Sequence, residues 1–204
     1  QARHWQYRLG VTQILTTRWL ASLNFEVVAD SGYLGSPYRA ARVFGAAVPE
    51  RNPRTRTSRA MRLSTAYDLG SRDALKAEYR YFWDTWAIKA HTAQAGYTRW
   101  FGDRLLADTH VRFYSQNRAL FYSDNATADT RYLSRNRQLS TFTNVSLAGK
   151  VTWRYGRVAD AFDVSLNGAY ELMNLSYKDF TDIRTGKPYS YRAHVLQAYV
   201  SATF

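Results

Sequence analysis

Leu75-Lys76-Ala77-Glu78-Tyr79-Arg80-Tyr81-Phe82-Trp83-Asp84 is the stretch that decides the fold. Leu75, Ala77, Tyr79, Tyr81 and Trp83 alternate with Lys76, Glu78, Arg80, Phe82 and Asp84. Successive side chains of a β-strand point to opposite faces. The segment is therefore a strand with one apolar, aromatic face and one mainly charged face.

Outward from it, the same partition recurs about nine times, which is the signal for strands. Trp5, Tyr7, Leu9 and Val11 oppose Gln6, Arg8 and Thr12. Trp19, Ala21, Leu23, Phe25 and Val27 oppose Ser22, Asn24 and Glu26. Met61, Leu63, Thr65 and Tyr67 oppose Arg62, Ser64 and Asp68. A thinner strand follows through Ala93, Ala95 and Tyr97, flanked by His91 and Arg99. Leu105 to Tyr114, Asn144 to Tyr155, Phe162 to Leu172 and Leu196 to Phe204 complete the set. Tight turns are expected at Thr17, Gly70-Asp73, Gly102-Arg104 and Gly156-Ala161. Long connections are expected at Ser31-Ser58 and Asn117-Gln138, with an intermediate one at Asp179-Ser190. Short and long connections thus alternate, apart from a short hairpin at Asp84 on the long side. Outer-membrane barrels alternate in this way.

The expectation is an all-β, antiparallel, up-and-down transmembrane β-barrel, with residues 1–204 forming one domain. About nine strands make an odd count, whereas single-chain bacterial barrels have even counts. At least one further strand is therefore expected before Gln1 or on another chain. No apolar run reaches the roughly 18 residues of a membrane-spanning helix, and mean hydropathy is −0.47. Barrel strands need only every second residue to be apolar. The chain carries 6 Trp and 16 Tyr, residues favoured at membrane interfaces. With 0 Cys, disulfides, thiolate metal sites and thiol nucleophiles are excluded.

A formal charge of +12 would first suggest a polyanion partner. Its location argues otherwise. The lumen-facing candidates are mixed in sign: Arg62, Lys76, Arg80, His110, Arg112, Lys150 and Arg154 share a face with Glu78, Asp108 and Glu171. The surplus is assigned to loops. Arg39, Arg42, Arg51, Arg54, Arg56 and Arg59 fall in the first long connection, and Arg131, Arg135 and Arg137 in the second. Arginine binds phosphate bidentately, so these loops are candidates for contact with lipopolysaccharide or another partner. Nucleic acid is a poor fit, because the strand aromatics lie opposite the charges and form no interleaved stacking platform.

No GxSxG, HExxH, P-loop or GxGxxG motif is present, so no cofactor and no catalytic residue is assigned. His4, His91, His110 and His194 have no metal-ligand spacing to one another. His91 is expected to reach Asp84 across their hairpin. A hydrolase at the barrel rim, using His110 or His91, is one alternative. Another is a soluble basic β-domain binding polyanions, with the apolar face as its interior. Periodicity alone does not say which face is inside.

Tyr79-Arg80-Tyr81-Phe82-Trp83-Asp84-Thr85-Trp86-Ala87-Ile88-Lys89-Ala90-His91-Thr92 resembles the YRYxxDxWxIxxHT run of the domain-of-unknown-function 3570 family. Gly96-Tyr97, Arg112-Phe113-Tyr114-Ser115-Gln116 and Phe121-Tyr122 follow in that family's order. Gly32-Tyr33-Leu34, Pro37-Tyr38, Pro49-Glu50-Arg51 and Arg54-Thr55-Arg56 are similar to its first long loop. Arg112-Phe113-Tyr114 departs from the family's tandem Tyr. The resemblance covers most of the chain and marks Trp83, Asp84, Trp86, Lys89 and His91 as the motif hairpin. It implies a barrel in the outer membrane of a Gram-negative bacterium, and no assigned activity. Family members are often encoded beside thioredoxin-like and flavin-transfer proteins, so the resemblance also implies a redox-linked envelope partner. In such a barrel, Phe204 would be the terminal aromatic read by the barrel-assembly machinery.

Overall fold

The computed structural model describes residues 2–158 and 162–203. Phe204, the expected assembly signal, lies outside the described residues. The long strands are β1 (Ala2–Thr16), β2 (Trp19–Gly32), β5 (Thr55–Asp68), β6 (Asp73–Asp84), β7 (Lys89–Phe101), β8 (Leu105–Gln116), β9 (Phe142–Val158), β10 (Phe162–Thr181) and β11 (Pro188–Thr203). They form one nine-stranded sheet in the order β1-β2-β5-β6-β7-β8-β9-β10-β11. Every neighbouring pair is antiparallel. This is the all-β, up-and-down meander the alternation predicts. Among the described residues β1 and β11 each pair on one side only, so the sheet is open.

The register places the expected residues on common faces. Leu63↔Tyr79, Tyr79↔Ala93, Ala93↔Phe113 and Phe113↔Val145 run as one apolar row across five strands. Arg62↔Arg80 and Gln94↔Arg112 do the same on the polar face. The apolar face is open to the surroundings: Leu63 is 53% exposed, Val111 49% and Leu147 57%. A soluble domain would need this face as its interior, and the described residues provide no layer over it. The sheet is irregular between β9 and β10. There Arg154 pairs with Ser165 and Gly156 with Val164, leaving Tyr155 as the extra residue of a bulge. Gly156 takes φ +124°, a value open to glycine and costly for other residues.

The two ends of the sheet differ. Residues 17–18, 69–72 and 102–104 make short connections at one end, and 33–54, 117–141 and 182–187 make longer ones at the other, which also holds the short 85–88 turn; residues 159–161, in the turn expected at Gly156–Ala161, lie outside the described residues. The first long connection is not wholly irregular. It holds a small hairpin, β3 (Ala40–Val43) and β4 (Ala46–Pro49). Phe44 at φ +46° and Gly45 at φ +85° turn it, the double positive φ of a type I′ turn. Phe-Gly is a weak signal beside Asn-Gly, which is why the sequence reads as loop. Strand β5 begins at Thr55, so Arg56 and Arg59, expected in the loop, stand on the sheet.

Candidate functional site

At the long-loop end the connections fold over the polar face and close into a cap. The hairpin β3–β4 is stitched to 117–141 by Phe44 N–H to Ala126 O (3.0 Å), Ala126 N–H to Arg42 O (2.8 Å) and a reciprocal Arg51–Leu133 backbone pair (2.9 Å each). Trp86, Ile88, Ala119, Tyr122 and Leu139 form its buried core, with Leu34, Phe82, Phe121 and Phe180 against it. A second small core joins Ala41, Ala126 and Leu133. Phe82, the one large apolar residue on the polar face of its strand, is thereby explained: it docks the cap.

Asp84 is the keystone. Its side chain is 0% exposed and pairs with Arg56 at 2.6 Å. The Nε of Arg56 also donates to it at 2.8 Å. Its other oxygen accepts the backbone N–H of Trp86 (3.0 Å) and of Ile88 (2.9 Å). Ala87, at φ +65°, closes the turn. The guanidinium of Arg56 lies 4.6 Å from the Trp86 ring, a cation–π contact. At Asp84 the motif hairpin is thus a structural corner, with both carboxylate oxygens occupied.

Tyr122 ties the cap to the far strands through its hydroxyl, which donates to Asp179 O at 2.9 Å. Burial pushes its phenol up from the ordinary value, so it stays protonated and a donor. Arg135 pairs with Asp124 (2.8 Å), donates to Thr181 O (2.6 Å) and stacks over Phe180 (4.5 Å). Arg137 lies over Tyr191 (5.6 Å), and Arg131 over Tyr132 (5.3 Å). Arg42 donates to Gly45 O (3.3 Å), and Arg51 pairs with Asp129. Most arginines expected as a free outer-loop surface are therefore fastened within the cap. Arg39 lines a cavity, and Arg54 is exposed.

That cavity, about 590 Å³, lies between cap and sheet. Arg39, Arg56, Arg80, Asp30 and Glu50 reach it, beside Phe82, Trp86 and Tyr114. An aromatic run crosses the polar face nearby: Tyr114 to Phe142 (5.3 Å), Phe142 to Tyr177 (5.1 Å) and Tyr177 to Tyr191 (6.5 Å between centroids). Sequence reasoning missed this run. Its one signal was the Tyr-x-Tyr at 189 and 191, on the even-odd set that elsewhere is polar.

Below the cap the polar face is a lattice of ion pairs. Arg62 meets Glu78 (2.5 Å), Lys76 meets Asp108 (3.0 Å), and Glu26 bridges Arg8 (2.8 Å) and Arg80 (3.8 Å). Thr98 also donates to Asp108 (2.6 Å). Arg154 stacks over Trp100 (4.2 Å), and Lys150 over Tyr199 (5.5 Å). His110, Arg112 and Glu171 share the face but enter none of these pairs. Lys76 and Thr98 both donate to Oδ2 of Asp108, and among the described residues His110 makes no hydrogen bond to it. His91 does not reach Asp84. It belongs to the opposite parity, opposite Tyr81, and hydrogen-bonds the Tyr79 hydroxyl at 2.6 Å on the apolar face. His194 forms the same kind of pair with Tyr170 at 2.7 Å.

A family model covers most of the chain. The model described as "Protein of unknown function (DUF3570)" matches residues 1–168. The chain belongs to this family. No curated protein matches it. Among solved structures, the DUF3570 chain is similar to one titled "Bacterial polysaccharide outer membrane secretin", at 9% identity and a TM-score of 0.45, over 98% of this chain and 79% of that one. It is also similar to one titled "NanC porin structure in rhombohedral crystal form", at 14% identity and a TM-score of 0.37, over 98% and 94%.

Proposed function

We propose that this DUF3570 chain supplies the wall of an integral outer-membrane β-barrel, capped at its long-loop end, which works as a pore or as a sheath and scaffold for an envelope partner. One observation carries the reading. The apolar face is exposed on the side away from the cap and, between the two rims, bears no charged residue. Leu105 to Ser115 on β8, Leu75 to Trp83 on β6 and Phe162 to Leu172 on β10 expose only uncharged side chains there. A strand needs about 9–11 residues to cross a bilayer. Uncharged residues outside and paired charges inside are the partition such a wall requires. Strands beyond the nine would close it, pairing with β1 and β11.

The cap over the polar face favours a narrowed mouth. Passage would follow the cavity lined by Arg39, Arg56 and Arg80, and arginines there would select anions. The intact protein in planar bilayers tests this. Stepwise conductance that loses anion preference in Arg80→Glu or Arg112→Glu supports the pore. Conductance absent from a correctly inserted protein leaves the scaffold reading, to be followed by capture of the envelope partner. Extraction without detergent as a monodisperse protein defeats both.

A further inference from the structure

We propose that Arg3, Arg59, Lys89, Lys178 and Arg192 form a rim on the outward face that binds the phosphates of lipid headgroups around the long-loop end. This rests on the membrane reading above. The register puts all five on the apolar face. Arg3 shares it with Trp5, Arg59 with Met61, Lys89 with His91, Lys178 with Leu172 and Arg192 with His194. All stand beyond the uncharged band, toward the long connections. Arg3, Lys89, Lys178 and Arg192 are exposed and Arg59 partly so. None of the five enters an ion pair among the described residues.

Their arrangement is specific. Arg59 pairs with Trp83, and Trp83 with Lys89. Two cations therefore flank an indole in one row across three strands, about 10 Å apart at the usual strand spacing. Asn117 N–H donates to Lys89 O, and Lys178 N–H to Thr141 O, continuing the rim across the next strands. An indole at the level where apolar surface gives way to charge is the usual interfacial anchor. Arginine and lysine beside it match phosphate.

The opposite rim lacks this character. Arg72 is paired with Asp103 at 2.8 Å, and Arg99 stacks over Phe101 at 5.4 Å. Asp73 is the one carboxylate that the described strands place on the apolar face, and it stands at that end. On the apolar face, five cations and no carboxylate at one rim, against Arg99 and its register partner Asp73 at the other, favour anionic headgroups in one leaflet only. The rim also revises where the surplus positive charge acts: on strand ends, with the loop arginines largely occupied in the cap.

The test uses the intact protein in neutral detergent, titrated with a bis-phosphorylated glycolipid (lipid A) and read by native mass spectrometry. Near an anionic surface each cation is worth about fivefold. Arg59→Gln with Lys89→Gln should weaken retention about 25-fold, and Gln at all five positions should abolish it, while Arg99→Gln leaves it unchanged. Each variant is first checked for the heat-dependent gel shift of a folded barrel, and the double variant serves if the fivefold one does not fold. Equal retention by wild type and double variant overturns the rim, as does an equal loss in Arg99→Gln. Insertion into phosphatidylcholine vesicles with no preference for lipid A overturns the rim and leaves the membrane reading standing. Failure to insert at all overturns both.

Discussion

The cap and the wall beneath it are built from the same chain on opposite terms. In the cap, apolar side chains are buried against one another, with Trp86, Ile88 and Tyr122 at its centre. Its central charge pair, Arg56–Asp84, has a carboxylate shut off from solvent. In the wall, apolar side chains face outward, and the charge pairs lie on an open polar face, as with Lys76–Asp108 at 53% and 32% exposed. The cap is stabilised as a small soluble protein is. The wall has no interior of its own between the faces of one sheet. Its stability depends on backbone pairing and on whatever medium meets the apolar side.

Substitutions can break this comparison, beginning with the largest effect. Asp84→Ala strands the Arg56 guanidinium and two buried N–H groups, and should cost about 3–5 kcal/mol. Limited proteolysis within 117–141 should accelerate while the wall's heat-dependent gel shift persists. Loss of both together would show that cap and wall are one cooperative unit. Trp86→Ala removes the ring that touches Phe121 at 5.0 Å between centroids, and should cost about 3–5 kcal/mol by cavity formation, read by the same two assays.

Val111→Arg addresses the wall. At mid-bilayer an outward Arg costs about 2–4 kcal/mol, measured as lost folding into vesicles. In water the same change at an exposed site would be within about 0.5 kcal/mol, so a silent Val111→Arg would remove the wall from the membrane. Arg62→Gln should change stability least, by under about 1 kcal/mol, because its pair with Glu78 is half exposed. A larger loss there would mean that the wall's lattice is as tightly desolvated as the cap.

What was legible in the sequence follows the same division. Period-two alternation fixes side-chain direction wherever a strand meets two different media, so the nine strands, their faces and the alternating connections could be read directly. Thr55-Arg56-Thr57-Ser58 is polar on both parities, so periodicity starts β5 too late and assigns Arg56 and Arg59 to the loop. The cap has no period at all. Its contacts join residues remote in sequence, such as Tyr122 to Asp179 and Asp84 to Arg56, and no local pattern reports them. Parity did contain the answer for His91, which an odd–even count from Tyr81 would have placed away from Asp84.

The stitched cap also imposes an order of events. Tyr122 and Asp179 are 57 positions apart, and contacts of such long range form late because the chain must first be brought together. The seam between β3–β4 and 117–141 is expected to close after β5 to β8 have paired and carried the two loops to the same rim. Protection of 117–141 from protease should therefore lag behind strand pairing during refolding. A cap that closes last would report that the wall below it has been laid in the right sequence.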